Sequence, residues 1–81
     1  MFSLLGDQVQ AQECLQKALA ILIEVDDESG EAEVFENLSE LFYSLSEYAK
    51  AKEYLEKALG IRIKTSDRDG EAKNYETLGV V

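Results

Sequence analysis

The chain repeats itself at a fixed interval, and no other feature restricts its fold as much. Lys17-Ala18-Leu19-Ala20-Ile21-Leu22-Ile23 returns as Lys57-Ala58-Leu59-Gly60-Ile61-Arg62-Ile63, and Gly30-Glu31-Ala32 returns as Gly70-Glu71-Ala72. Phe2, Leu5, Ala11, Leu15 and Leu38 recur at Phe42, Leu45, Ala51, Leu55 and Leu78. Each pair is 40 residues apart, and 16 of the 41 pairs at that offset are identical. Chance would leave about two or three at ordinary composition. A period of roughly 20 to 50 residues marks a stack of like units, each burying its apolar face against the next.

Each unit reads as two helices. From Glu31 to Leu45 the apolar positions are Val34, Phe35, Leu38, Leu41, Phe42 and Leu45, a stripe of about 120° on a 3.6-residue helix. Ser46, whose repeat mate is Gly6, interrupts the pattern. A second run from about Glu47 to Thr65 turns Tyr48, Ala51, Leu55, Ala58, Leu59 and Ile63 inward. At ~1.5 Å per residue it is about 28 Å long. The chain has no proline, so helices can run without a break. Asp26-Asp27 and Ser66-Asp67 have the chemistry of N-caps. Glu13 and Lys17, like Glu53 and Lys57, are spaced to pair on a helix face. Ala51, Ala58 and Ser39 (repeat mate Gly79) are small enough for helix axes ~8–10 Å apart. The connections are short, which makes successive helices antiparallel. The expected fold is therefore all-α, with helices at about 7–25, 28–45, 47–65 and 68–80. These form antiparallel pairs stacked as an α-solenoid.

Composition narrows the function. The 81 residues carry a net charge of −9, which argues against nucleic acid and anionic membranes as partners, since both want a basic face. Residues 1–7 lack the basic and apolar segments of a signal peptide, and no apolar run approaches the ~18 residues of a membrane span. One cysteine, Cys14, excludes an internal disulfide and makes the cytoplasm the default expectation. There is no histidine, hence no imidazole acid–base chemistry and no His-bound zinc. Cys14 reads as a small packing residue. Thr65-x-Asp67-x-Asp69-Gly70, followed by Glu76, approaches a calcium loop. Thr65 fails its first position, and the loop would consume Ala72 and Tyr75, which the helix needs. No catalytic residue, metal or cofactor is expected, and the chain is read as a non-enzyme.

The run Ala32-x-x-Phe35-x-x-Leu38-Ser39-x-x-Phe42, followed by Tyr48, Ala51, Leu55 and Ala58-Leu59, resembles the tetratricopeptide repeat (TPR). The family prefers Trp where Phe35 stands and usually closes with proline. Here Thr65-Ser66-Asp67-Arg68-Asp69-Gly70 lengthens the unit to 40 residues. That longer form is similar to the repeats of Pins-type G-protein-signalling modulators and of large multi-repeat animal TPR proteins. On this resemblance, residues 1–81 are one partial array: the second helix of one repeat at 7–25, a complete repeat at 31–65 and the first helix of the next at 68–81. Residues 1–5 would be the tail of an earlier helix. The apolar, uncapped Val80-Val81 end suggests a fragment, or end-to-end self-association.

The resemblance implies a protein- or peptide-binding scaffold that uses its concave face. The positions that match are Glu33, Glu36, Asn37, Glu40, Tyr43 and Ser44, with Lys73, Glu76 and Thr77 in the next repeat. Asn37 matches a family asparagine whose amide bonds a peptide backbone, whereas Thr77 departs from it. Residues 31–45 hold four glutamates and no base, so the face lacks the basic clamp with which some TPRs hold acidic tails. Charge complementarity then favours a basic or polar peptide. Read blandly, the same glutamates are a solvated helix face. The alternative function is a structural spacer that contacts only neighbouring repeats.

Overall fold

Three reversals of the same geometry divide the chain into four helices. These are α1 (Leu4–Glu24), α2 (Glu28–Ser44), α3 (Tyr48–Lys64) and α4 (Arg68–Val80). The computed structural model describes residues 4–80, with side chains from Val9 to Gly79. The repeat mates Phe2 and Leu5 and the apolar end Val80-Val81 lie outside the described side chains.

The turns explain the period. At each one the middle residue takes a left-handed conformation: Asp26 (φ 60°), Ser46 (φ 62°) and Ser66 (φ 60°). Their N–H groups donate to Ile23, Tyr43 and Ile63 carbonyls at 3.2, 3.0 and 3.1 Å. The next N–H groups, of Asp27, Glu47 and Asp67, reach back to Leu22, Phe42 and Arg62 carbonyls at 2.9, 2.8 and 2.8 Å. This is the Schellman closure, which satisfies the last carbonyls of a helix and turns the chain back. The following residue then starts the next helix. Asp27 and Asp67 accept from the Gly30 and Gly70 N–H at 3.0 and 3.1 Å, as N-caps do. Glu47 makes no side-chain cap bond, because its carboxylate sits one methylene further out.

The recurring Gly-Glu-Ala has a steric cause. A Cβ on Gly30 would lie 2.7 Å from Leu22 Cδ2, and one on Gly70 would lie 2.7 Å from Arg62 Cδ. Each glycine lets the last turn of one helix lie over the first turn of the next.

Among the described residues, helices touch only their neighbours in sequence: α1 with α2, α2 with α3, and α3 with α4. The α2–α3 crossing is the centre, where Leu38, Ala51 and Ala58 are fully buried and Ser39 nearly so. Ala51, Leu55 and Ala58 form the inward seam of α3, and Arg62 continues it at helical spacing. Two expectations are corrected. Ile63 falls off the seam, and Tyr48, though in line with it, is the first residue of α3; both are half exposed. Tyr48 meets Tyr43 edge-on at 5.2 Å, while Tyr54 stacks on Phe42 at 5.4 Å and Phe35 at 5.9 Å. Lys57 is not paired with Glu53. Its ammonium lies 5.8 Å from the Phe35 ring and 5.2 Å from the Tyr54 ring, where a cation gains more than from an exposed ion pair. Gly79 has open space where a Cβ would stand, so it is not at a crossing in the described structure.

The expected break at Gly6 does not occur, because α1 runs through it from Leu4. A glycine costs a helix only about 1 kcal/mol. A reversal forms where the following helix packs back on the preceding one, as α2, α3 and α4 do.

Serine in a left-handed conformation is strained where glycine is not. Ser46→Gly should therefore stabilise the chain by about 0.5–1 kcal/mol after the added chain entropy of glycine. Thermal unfolding should show a midpoint several degrees higher.

Candidate functional site

Since α2 and α4 both pack on α3 and not on each other, a cleft opens between them. It encloses about 130 Å³ and is lined by Glu33, Glu36, Asn37 and Glu40 from α2, Leu55 from α3, and Lys73, Asn74 and Thr77 from α4. Six of the residues expected at the concave face thus converge: Glu33, Glu36, Asn37, Glu40, Lys73 and Thr77. Tyr43, Ser44 and Glu76 are exposed but do not line the cleft. Tyr43 lies at the α2–α3 turn against Tyr48.

The wall residues differ in what they offer. Glu36 is committed to Arg62, which reaches it with two parallel bonds, Nε–Oε2 at 3.2 Å and a terminal nitrogen to Oε1 at 3.0 Å. Arg62 also bonds Asp67 Oδ2 at 3.0 Å. The Arg62 and Glu36 side chains are only 11% and 17% exposed. The hydrogen bond to Glu36 pushes the Arg62 pKa up against the opposing effect of burial, so the guanidinium stays charged throughout any working pH. Two helices and one turn are thereby tied together. Glu33 and Glu40 are exposed and make no ion pair among the described residues. The Thr77 hydroxyl donates to the Lys73 carbonyl at 3.0 Å, leaving only its lone pairs for anything in the cleft.

A tetratricopeptide repeat family model matches residues 1–64. The chain belongs to the tetratricopeptide repeat family. No curated protein and no solved structure matches it. TPR arrays generally mediate protein–protein contacts.

Two residues of this TPR cleft were not expected from the sequence, Leu55 and Asn74. Leu55 is 2% exposed and forms an apolar floor. Asn74 is 1% exposed, and its amide Nδ2 has no hydrogen-bond partner among the described residues. The signal for Asn74 lay in the repeat itself, because its mate Val34 belongs to the buried apolar cluster. Arg62 is a similar departure, with Leu22 as its mate.

Arg62→Ala should cost about 1–3 kcal/mol, since it strands a largely buried carboxylate; Asp67 adds little because it is more exposed. Urea unfolding gives the difference directly. Asn74→Val should do the opposite, stabilising by about 1 kcal/mol through removal of an unpaired buried amide. A lower midpoint for Asn74→Val would show that the amide has a partner.

Proposed function

We propose that the cleft between α2 and α4 holds an extended segment of a partner protein, and that this segment is basic or polar. The observation that carries the reading is the convergence of Glu33, Asn37 and Glu40 on one wall, with both carboxylates exposed and unpaired among the described residues. Opposite them, Lys73 is the only base among the described residues that line the cleft. Carboxylates at the mouth of a cleft attract cations over a Debye length of about 8 Å at physiological salt. The asparagine amide beside them can both donate and accept toward a backbone. Glu36 has a different role in this reading: it positions α2 against α3 through Arg62 and does not touch the ligand. The protein acts by holding its partner, with no reaction of its own.

The discriminating measurement is binding of a capped lysine-rich peptide and of its glutamate-rich counterpart to the chain and to the triple variant Glu33→Gln, Asn37→Ala, Glu40→Gln. The lysine peptide should bind preferentially, lose about tenfold or more in the variant, and weaken with added salt. Circular dichroism should be unchanged. If neither peptide binds, or both bind alike and the variant makes no difference, the segment is a spacer between neighbouring repeats.

A further inference from the structure

The two outer helices each keep a face that the repeat covers elsewhere. Among the described residues, α3 has α2 on one side and α4 on the other. Its counterpart α1, 40 residues earlier, has only α2, which stands to α1 as α4 stands to α3. So α1 lacks an α2-like neighbour. Ala11 and Cys14 are exposed and Leu15 and Ala18 half-buried, whereas the mates Ala51, Leu55 and Ala58 are buried and Tyr54 stacks on α2. The other end is the complement. α4 is the counterpart of α2 and has only α3, so it lacks an α3-like neighbour. Ala72 and Gly79 are exposed and Tyr75 is 53% exposed, although their mates Ala32 and Ser39 are buried and Phe35 stacks on Tyr54.

We propose that α4 of one copy of this chain packs on α1 of a second copy, reproducing between molecules the α2–α3 contact within one. Charge selects this pairing. Within the chain, Lys64 of α3 meets Glu28 of α2 at 2.8 Å. Their mates are Glu24 on α1 and Arg68 on α4, so the same bridge forms between copies with its polarity reversed. Glu24 is exposed, and Arg68 meets Glu71 of its own helix only at 3.7 Å. The competing pairings are opposed. α4 on the α3 of another copy sets Arg68 against Lys64, and α2 on another α1 sets Glu28 against Glu24. A second contact carries over. Lys57 lies over the Phe35 ring, and the mates of these two are Lys17 and Tyr75, again a cation and an aromatic ring. The forked pair does not carry over, since the mates of Arg62 and Glu36 are Leu22 and Glu76. Glu76 must turn to solvent, and the junction is weaker than α2–α3 for that reason. Because the face offered differs from the face taken, the contact is head-to-tail and open-ended.

Sedimentation equilibrium of the whole chain at physiological salt, from about 10 μM to about 1 mM, covers the range of a small, weak interface. The weight-average mass should rise with concentration and pass that of a dimer. Glu24→Lys and Arg68→Glu should each weaken association about fivefold. Both place the charge that a helix end favours, so neither weakens folding. The double variant, and an equimolar mixture of the two single variants, should associate as the unsubstituted chain does, because each restores opposite charges at every junction. Tyr75→Ser should remove association with helicity unchanged by circular dichroism. A monomer throughout the range overturns the proposal, and so does a dimer that grows no further. Association that the charge exchange and the mixture fail to restore also overturns it, since some other face is then in contact.

Discussion

The left-handed residue at each helix end sets almost everything that follows. A Schellman turn reverses the chain within three residues, Leu45 to Glu47 for example, and leaves no slack for a helix to pack anywhere but on its predecessor. With the same turn at Asp26, Ser46 and Ser66, contacts become strictly sequential. Sequential packing leaves α2 and α4 both against α3, with the cleft between them. The cleft is thus a consequence of turn geometry before any cleft residue is considered. The caps Asp27 and Asp67 and the glycines three residues on from them reinforce the reversal. In this architecture they act together, since a Cβ at Gly70 would crowd Asp67 Oδ2 and Arg62 Cδ and the side chains that cap and tie the turn would have to shift.

Within that frame, what distinguishes the cleft is where the second unit departs from the first. Leu22 becomes Arg62, and Val34 becomes Asn74. The first change replaces an apolar contact by a forked ion pair across the α2–α3 packing, with Asp67 as a third member. The pair is satisfied geometrically, which is the condition under which a largely buried charge is tolerated. The second change is not satisfied within the described residues. One polar substitution therefore ties α2 to α3, and the other leaves a buried amide unpaired among the described residues.

Most of the fold was legible because the repeat reports the same physics twice. The apolar stripe of α2, the small residues of its crossing with α3, and the caps at Asp27 and Asp67 all follow from spacing and residue type. The site was legible in part. Glu33, Asn37 and Glu40 share a helix face, and periodicity alone brings them together. The pairing of Glu36 was hidden, since Arg62 is 26 residues away in sequence and sits on a seam that looks apolar in its repeat mate. Tyr48 was expected inward, but it stands at the exposed first residue of α3 against Tyr43, and Tyr54 stacks on α2 instead. Gly6 misled for a related reason: glycine permits a reversal, but packing imposes it.

The unpaired amide of Asn74 also says how a solenoid distributes cost. In a globular core, a polar group without a partner weakens the packing of everything around it. In a stack whose units touch only their neighbours, the penalty is confined to the adjoining interfaces, and stability elsewhere is nearly additive. The α3–α4 contact carries the burden here, while the α2–α3 crossing stays apolar around Leu38, Ala51 and Ala58. A repeat array can for that reason place a polar residue at a packing position of one unit and keep the apolar residue in the next. Where two otherwise matching repeats disagree, the change in stability is then felt mainly at the interfaces beside that position.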